Sequence, residues 1–216
     1  INLSEASSIA GYLVVSYALL QFVFAPILGN LSDRFGRKRI LLVSLAMYAV
    51  NYLIAGFAGT LWVLFIGRFL TGITSATHAT ANALIADVSP PEERAQNFGL
   101  IGVAFGLGFI VGPSLGGVVG AFDLRLPFFL AAGFATINTM YGFFVLRETL
   151  PEDRRRPFDW RRANPVGMLM QLRKYPILVG LVFVMFIYNI AHQVYPSNWN
   201  FYTIEKFSWT PLEVGL

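Results

Sequence analysis

A carboxylate and several cations lie close together in the segment Gly29–Ile40. Asp33 precedes Arg37 by four residues, which is the spacing at which two side chains meet on one helix face. Arg34 lies beside them, and Asp87 is a second acid within reach of Arg37 or Arg34 if the helices pack. These residue types predict ion pairs that hold helix ends together. The alternative is simple membrane topology, in which the cations only mark one side of a bilayer.

A polar stripe follows the helical repeat from Arg68 onward. Arg68, Gly72, Ser75, His78 and Asn82 recur every three or four residues in an otherwise apolar run, so they are expected on one helix face. A guanidinium inside a membrane span costs roughly 2.5–3.5 kcal/mol, and it is therefore expected to face a cavity or a partner. Two alternatives stay open: Arg68 reaches the outer headgroups, and His78 serves packing.

Glycine recurs in one stretch with a helical period. Glycines fall on every fourth position, and Gly117 adds another: Gly108, Gly112, Gly116 and Gly120. This pattern leaves a smooth face where a second helix packs closely, and Pro113 bends the helix. The same stretch fits the G-x-S-x-G pattern of hydrolases, but that pattern requires a strand, a His and an acid, which this apolar run does not supply.

Neutral polar side chains lie at mid-membrane depth on several predicted helices. Such groups, mixed with aromatic rings, line cavities that bind amphiphilic ligands. The candidates for a substrate cavity are Tyr17, Gln21, Asn51, Ser75, His78, Asn138, Asn189 and Gln193. For any one of them, the alternative is a hydrogen bond to a neighbouring helix. All Asp and Glu residues fall in loops or near the ends of spans.

The composition shows which elements must position these residues. Of the 216 residues, 56% are hydrophobic and 13% are charged, whereas soluble domains carry about 25% charged residues. Apolar runs of about 20 residues are long enough to cross the membrane as helices. A seventh span is expected to begin at Leu212, after six predicted spans: Ile9–Leu28, Ile40–Ala58, Leu61–Ala86, Phe98–Gly120, Pro127–Leu146 and Ile177–Tyr195.

The cations are distributed unequally across these spans. Of 16 Lys and Arg residues, 13 fall on one side of the predicted membrane, and only Arg125 and Lys206 fall on the other. This asymmetry places the loops at Asp33, Glu92 and Arg154 in the cytoplasm, and it argues against a nucleic-acid partner. Cysteine is absent, which excludes disulfides and thiolate metal sites. No metal site and no cofactor are predicted.

The connections between spans predict the domain organisation. Most are short, but residues 147–175 are long and rich in Pro and charge, as in a cytoplasmic linker. Residues 1–146 then form one helical bundle, and residues 176–216 begin another. Pro165–Lys174 is predicted to form a short amphipathic helix in the linker.

The segment Gly29–Ile40 resembles the signature between the second and third helices of major facilitator transporters. The order of Gly29, Asp33, Gly36 and Arg37 carries the likeness. Arg68–Gly72 resembles the family's fourth-helix motif, with Thr71 in place of the usual Gln, and the glycine stretch resembles the fifth-helix motif of antiporters. The resemblance implies an all-α membrane fold with inverted repeats, here helices 2–6 of the N-terminal six-helix bundle and the first helix of the C-terminal bundle, with the first helix missing.

The resemblance also implies roles for individual residues. Gating falls to Gly29, Asp33, Arg34, Gly36, Arg37 and Asp87, and proton coupling to Arg68. Residues 17–29 and 68–120 are similar to tetracycline/proton antiporters, in which Gln21 would contact substrate. Those antiporters carry an acid where this chain has Asn51, and Asn51 cannot supply a charge to a cationic drug–metal complex.

The predicted function is export of a small amphiphilic compound, tetracycline-like or multidrug, in exchange for protons by alternating access. The protein is expected to be a monomeric, multi-pass protein of the bacterial inner membrane, surrounded by lipid, and not an enzyme. The alternatives are a major facilitator that takes up a nutrient or metabolite by symport, and a membrane receptor or scaffold that transports nothing. The glycine stretch disfavours the first, and the polar stripe at Arg68 disfavours the second.

Overall fold

The computed structural model describes residues 2–75, 77–161, 163–172 and 175–215. Every regular element in those ranges is helical, which confirms the predicted all-α class. The elements are α1 Leu3–Phe35, α2 Arg37–Phe57, α3 Leu61–Thr74, α4 Thr77–Val88, α5 Arg94–Gly120, α6 Leu126–Val145, a 3₁₀ turn Glu152–Arg154, α7 Pro165–Leu172, α8 Pro176–Phe207 and α9 Pro211–Gly215.

Five of these helices are long and apolar enough to cross a membrane: α1, α2, α5, α6 and α8. Their outward surfaces are apolar, as shown by Phe144 at 77% exposure and Ile177 at 88%. Large apolar side chains on the outside are the rule where hydrocarbon is the surrounding solvent, and helices satisfy their own backbone groups there. Five of the six predicted spans are therefore confirmed as long apolar helices.

The remaining predicted span, Leu61–Ala86, is divided between two helices. α3 ends at Thr74, and Ser75 has a ψ of 57°, outside the helical range. Hydroxyl groups are concentrated at the interruption, where Thr71, Thr74 and Ser75 each donate a hydrogen bond to a carbonyl three or four residues earlier. Such bonds compete with the backbone ladder and bend helices. α4 then begins at Thr77.

The predicted turn Gly29–Ile40 is mostly helical. α1 continues to Phe35 and α2 begins at Arg37, so that Gly36 alone separates the two helices. At 33 residues, α1 is about 50 Å long, well beyond the hydrophobic thickness of a bilayer. α8 likewise continues to Phe207, past the predicted end at Tyr195. Hydropathy marks the part of a helix inside the membrane and does not mark its end.

Small residues bring the helices of the first bundle into close contact. A Cβ atom on Gly72 would lie 2.7 Å from Leu20 Cβ, and one on Gly56 would lie 2.8 Å from the ring of Phe129. These contacts join α3 to α1 and α2 to α6. Close approach at small residues is the usual way in which helices associate in membranes.

The remaining elements lie after the first bundle. α7 confirms a short helix in the linker, although Lys174, its predicted end, lies outside the described residues. α8 contacts α1, and α9 packs against α5. α9 starts at Pro211, next to the position predicted for a seventh span, and the side chains of Thr210 and Glu213 cap its first turn.

Candidate gate and membrane-embedded polar residues

Gly36 shapes the turn in which most of the predicted gating residues lie. Its φ of 102° falls in a region that only glycine adopts without strain. Its N–H donates to the carbonyl of Ser32 at 3.1 Å and so ends α1. The chain can then begin α2 directly, with Arg37 as the first helical residue. Gly36 therefore occupies a position that requires glycine. Gly29 is helical, and a Cβ atom added there would have no described atom within 4 Å.

Arg37 lies at the centre of the predicted ion pairs, and its side chain is only 15% exposed. Its Nη1 lies 2.6 Å from Asp33 Oδ1 and donates to the Ser32 hydroxyl oxygen at 2.9 Å. Its Nε donates to Asp87 Oδ2 at 3.1 Å. We call Ser32, Asp33, Arg37 and Asp87 the Arg37 cluster. It joins the ends of α1, α2 and α4.

The two acids of the cluster are only partly covered. The side chains of Asp33 and Asp87 are 41% and 27% exposed, so water reaches both. A partly covered guanidinium between two carboxylates makes charge-assisted hydrogen bonds, which are stronger than neutral ones. Arg34, the alternative partner of Asp87, is exposed, and its guanidinium lies 5.0 Å from the Phe35 ring. Arg37 alone therefore contacts both acids.

Two residues that the sequence reasoning missed extend the cluster. Glu148 accepts hydrogen bonds from the backbone N–H groups of Arg37 and Lys38, and Thr149 donates its hydroxyl to Asp87 Oδ2 at 3.3 Å. A signal was present, because Glu148 is the first acid after the last apolar run, which ends at Leu146, and it lies on the predicted cytoplasmic side. Only the fold shows that this point of the chain lies beside Gly36.

The linker also binds the inner end of α1. The side-chain amide of Asn30 donates to the carbonyl of Asp159 at 3.0 Å and accepts from its N–H at 3.2 Å. One turn further along α1, the Asp33 carbonyl accepts from the N–H of Arg156 at 3.2 Å. The linker backbone is therefore attached to α1 at two successive turns, next to the residues that contact Arg37.

Arg68 lies in α3, and its side chain is exposed. Within the ranges that the structure describes, no acid forms an ion pair with it. The predicted single stripe is divided by the end of α3: Gly72 and Ser75 are buried, whereas His78 and Asn82 lie on α4 and are exposed. Gly72 faces α1, close to Leu20.

The predicted substrate-cavity residues do not converge in this structure. Gln21 lines a cavity of about 670 Å³ between α1, α4 and the linker. Asn51 is 7% exposed, with its Oδ1 close to the backbone of Gly67 on α3, and Ser75 is buried against its own helix. Tyr17 meets Tyr48 between α1 and α2. The other four are exposed: His78, Asn138, Asn189 and Gln193.

The glycine helix, α5, is open along most of its predicted packing face. Cβ atoms added to Gly108, Gly112 and Gly116 would meet no described atom within 4 Å, whereas Gly117 is buried. A second cavity, of about 930 Å³, lies beside Pro113 and Gly116 and is also lined by residues of α6, α8 and α9. Close packing of the glycine face is therefore observed only toward the end of α5.

The family model of the Major Facilitator Superfamily matches residues 2–216. This match covers nearly the whole chain and agrees with the arrangement of helices around the Arg37 cluster. The chain belongs to the Major Facilitator Superfamily. It is accordingly an integral, multi-pass membrane protein, as its five long apolar helices indicate.

Several members of this superfamily are similar in sequence. The class C tetracycline resistance protein of Escherichia coli is 41% identical over 95% of this chain and 52% of its own length. The class G protein of Vibrio anguillarum is 39% identical over the whole chain and 55% of its own length. Multidrug resistance protein 2 of Bacillus subtilis is 28% identical over 97% of the chain and 53% of its own length.

A solved structure has the same fold. The human organic anion transporter MFSD10 (TETRAN) superposes with a TM-score of 0.74 at 29% identity, over 95% of this chain and 52% of its own. The chain thus spans about half the length of the relatives that it matches. This relation agrees with the predicted partial major facilitator fold.

Proposed function

We propose that the full-length protein is a bacterial inner-membrane transporter that exports a small amphiphilic compound in exchange for protons by alternating access. The Arg37 cluster is its cytoplasmic gate: its ion pairs hold the inner ends of α1, α2 and α4 together while the cavity is closed to the cytoplasm. The observation that carries this proposal is the largely buried Arg37 side chain, which contacts two acids from two other helix ends.

The chemistry of the cluster suits a gate better than a static attachment. Charge-assisted hydrogen bonds contribute about 1.5–3 kcal/mol each, and the two acids remain reachable by water. Water can therefore solvate Asp33 and Asp87 when Arg37 separates from them, which lowers the cost of opening. A permanent structural ion pair has no need of this access.

The structure bears on the choice of substrate through Asn51. This residue raised an objection to tetracycline because it supplies no charge where related antiporters carry an acid. Asn51 is 7% exposed and contacts α3 at Gly67, so it does not face open space here. Asn51 still supplies no carboxylate, but the similarity to tetracycline resistance proteins of several classes makes tetracycline the first substrate to test.

The helices fit an assignment to two bundles. We assign residues 1–146 to helices 2–6 of the N-terminal bundle, 147–175 to the linker and 176–216 to the start of the C-terminal bundle. The acids of this chain lie near helix ends or in loops, so we assign the proton-carrying carboxylate to the rest of the transporter. Arg68, exposed on α3, is the cation of this half that would face the transport path.

The gate is tested by Asp33→Asn in the full-length protein. Loss of the charge weakens one of the strong bonds to Arg37, and we expect export of tetracycline into everted membrane vesicles to fall by about tenfold. Asp153→Asn is the matched control, because Asp153 is an exposed acid in the linker. Undiminished export by a normally expressed Asp33→Asn protein would refute the gate.

The direction of coupling is tested in proteoliposomes. Export by exchange requires that tetracycline and protons cross the membrane in opposite directions when a pH gradient is imposed. Movement in the same direction would favour symport uptake instead. Binding of tetracycline without any flux would favour a receptor.

A further inference from the structure

The first turn of α2 is unfavourable by its own sequence. Arg37, Lys38 and Arg39 place three cations at this helix N-terminus, the first turn contains no acid, and Gly36 supplies no side-chain cap. The N-terminus of a helix carries a partial positive charge, and its first N–H groups have no partner within the helix. An uncompensated start of this kind favours fraying of the turn that carries Arg37.

Glu148 supplies what α2 lacks, from more than a hundred residues away. Its Oε1 accepts from the N–H of Arg37 at 2.8 Å, and its Oε2 accepts from the N–H of Lys38 at 3.3 Å. The carboxylate therefore satisfies the first two free N–H groups of α2, one with each oxygen. It also places a negative charge where both the helix dipole and the three cations favour one.

Gly36 leaves the room that this carboxylate needs. A Cβ atom at position 36 would overlap Glu148 Oε2 and lie 2.7 Å from Glu148 Cδ. The glycine is thus required for two separate reasons, its positive φ and the approach of Glu148. If Glu148 did not contact this turn, only the positive φ would require glycine at position 36.

The next residue connects the same segment to α4. Thr149 donates its hydroxyl to Asp87 Oδ2, the oxygen that also accepts from Arg37 Nε. We propose that Glu148 is a positioning residue of the gate: it caps α2, fixes the backbone of Arg37 and so directs its guanidinium to Asp33 and Asp87. The capping rests on the contacts alone, and its role in gating rests on the proposed function.

The cap is tested in the full-length protein by amide hydrogen exchange across residues 34–40. Loss of a helix cap costs on the order of 1 kcal/mol, so we expect exchange at Arg37 and Lys38 to be about five- to tenfold faster in Glu148→Ala. Glu148→Gln keeps one accepting oxygen and should give an intermediate rate. Glu152→Ala is the control, because Glu152 pairs with Arg155 and should leave these amides unchanged. Unchanged exchange in Glu148→Ala would overturn the cap.

Glycine substitution provides an independent measurement. Gly36→Ala should lower the melting temperature, and adding Glu148→Ala should cost less in the Gly36→Ala background than in the wild type, because the carboxylate is then already displaced. Additive effects would overturn the contact.

Export is measured on the same variants. Faster exchange in Glu148→Ala with a lower kcat and a KM that does not rise supports positioning, since misfolding alone changes the amount of active protein, which is measured separately. Faster exchange with wild-type export would overturn the positioning role while leaving the cap. Absence of export in the wild type would refute the proposed function instead.

Discussion

Arg37 and Arg68 carry the same side chain in opposite surroundings. Arg37 lies at the inner helix ends, is 15% exposed and contacts two acids and a hydroxyl. Arg68 lies within α3, is exposed and has no ion-pair partner in the described part of the chain. The first guanidinium is therefore neutralised by its own half of the fold, and its removal leaves two acids facing each other. The second guanidinium has no such partner, so its insertion into the membrane costs this half of the fold free energy.

The two cations therefore contribute to stability with opposite signs. An ion pair whose partner is removed leaves a partly covered charge without compensation. An unpaired cation at membrane depth opposes insertion, and its removal relieves that cost. The proposed function accounts for Arg68 by transport and assigns Arg37 to both the fold and the gate.

The largest expected effect comes from Arg37→Ala. Loss of the bonds to Asp33 and Asp87 removes about 3 kcal/mol or more, so export should fall by roughly a hundredfold, and the melting temperature should fall as well. Arg34→Ala is the matched control, because Arg34 stacks on the ring of its neighbour Phe35, and its export should stay within about twofold of the wild type. Equal losses in the two variants would show that total charge matters and not the cluster.

Arg68→Leu tests the other side of the comparison. Export in everted vesicles should fall by about tenfold, while the melting temperature should stay the same or rise, because an unpaired charge costing roughly 2.5–3.5 kcal/mol is removed. Thermal unfolding followed on the purified protein separates these outcomes. A melting temperature lowered as much as in Arg37→Ala would mean that Arg68 has a stabilising partner. That result would contradict the contrast between a paired Arg37 and an unpaired Arg68.

The smallest effect is expected from Asn30→Ala, which leaves the Arg37 cluster in place and releases only the linker. The variant loses two hydrogen bonds to Asp159, each worth about 1 kcal/mol. Trypsin should therefore cleave after Arg154, Arg155 and Arg161 several-fold faster, with little change in export. Asn189→Ala is the control, since the Asn189 amide donates to its own helix. Unchanged cleavage would show that other contacts hold the linker.

Much of the fold was readable because membrane helices are recognisable by length and hydropathy. The all-α class, five of the six spans and the short helix in the linker were predicted in this way. The division of Leu61–Ala86 was not, because hydropathy does not register where the regular backbone conformation of a helix stops. The clustering of the hydroxyl residues Thr71, Thr74 and Ser75 at that point was visible in the sequence.

The candidate gate was predicted better than the candidate cavity. Asp33 and Arg37 are only four residues apart, at the end of α1 and the start of α2, so local spacing sufficed for this pair, and the expectation that the helices pack brought in Asp87. Glu148 lies beside Gly36 only because α6 packs along α2, a tertiary contact that no local pattern encodes. The cavity residues were grouped by depth alone, and depth does not say which way a side chain faces. Asn51 therefore turned out to contact α3.

The interruption at Ser75 divides the predicted span Leu61–Ala86 into two helices, α3 and α4. α3 packs closely against its neighbours at Gly67 and Gly72, whereas α4 carries Asp87. The regular backbone hydrogen bonding of α3 ends at Thr74. A tilt of α4 therefore does not require α3 to tilt with it. In the proposed gate, Asp87 would separate from Arg37 by movement of α4 alone, with the close contacts of α3 at Gly67 and Gly72 kept in place.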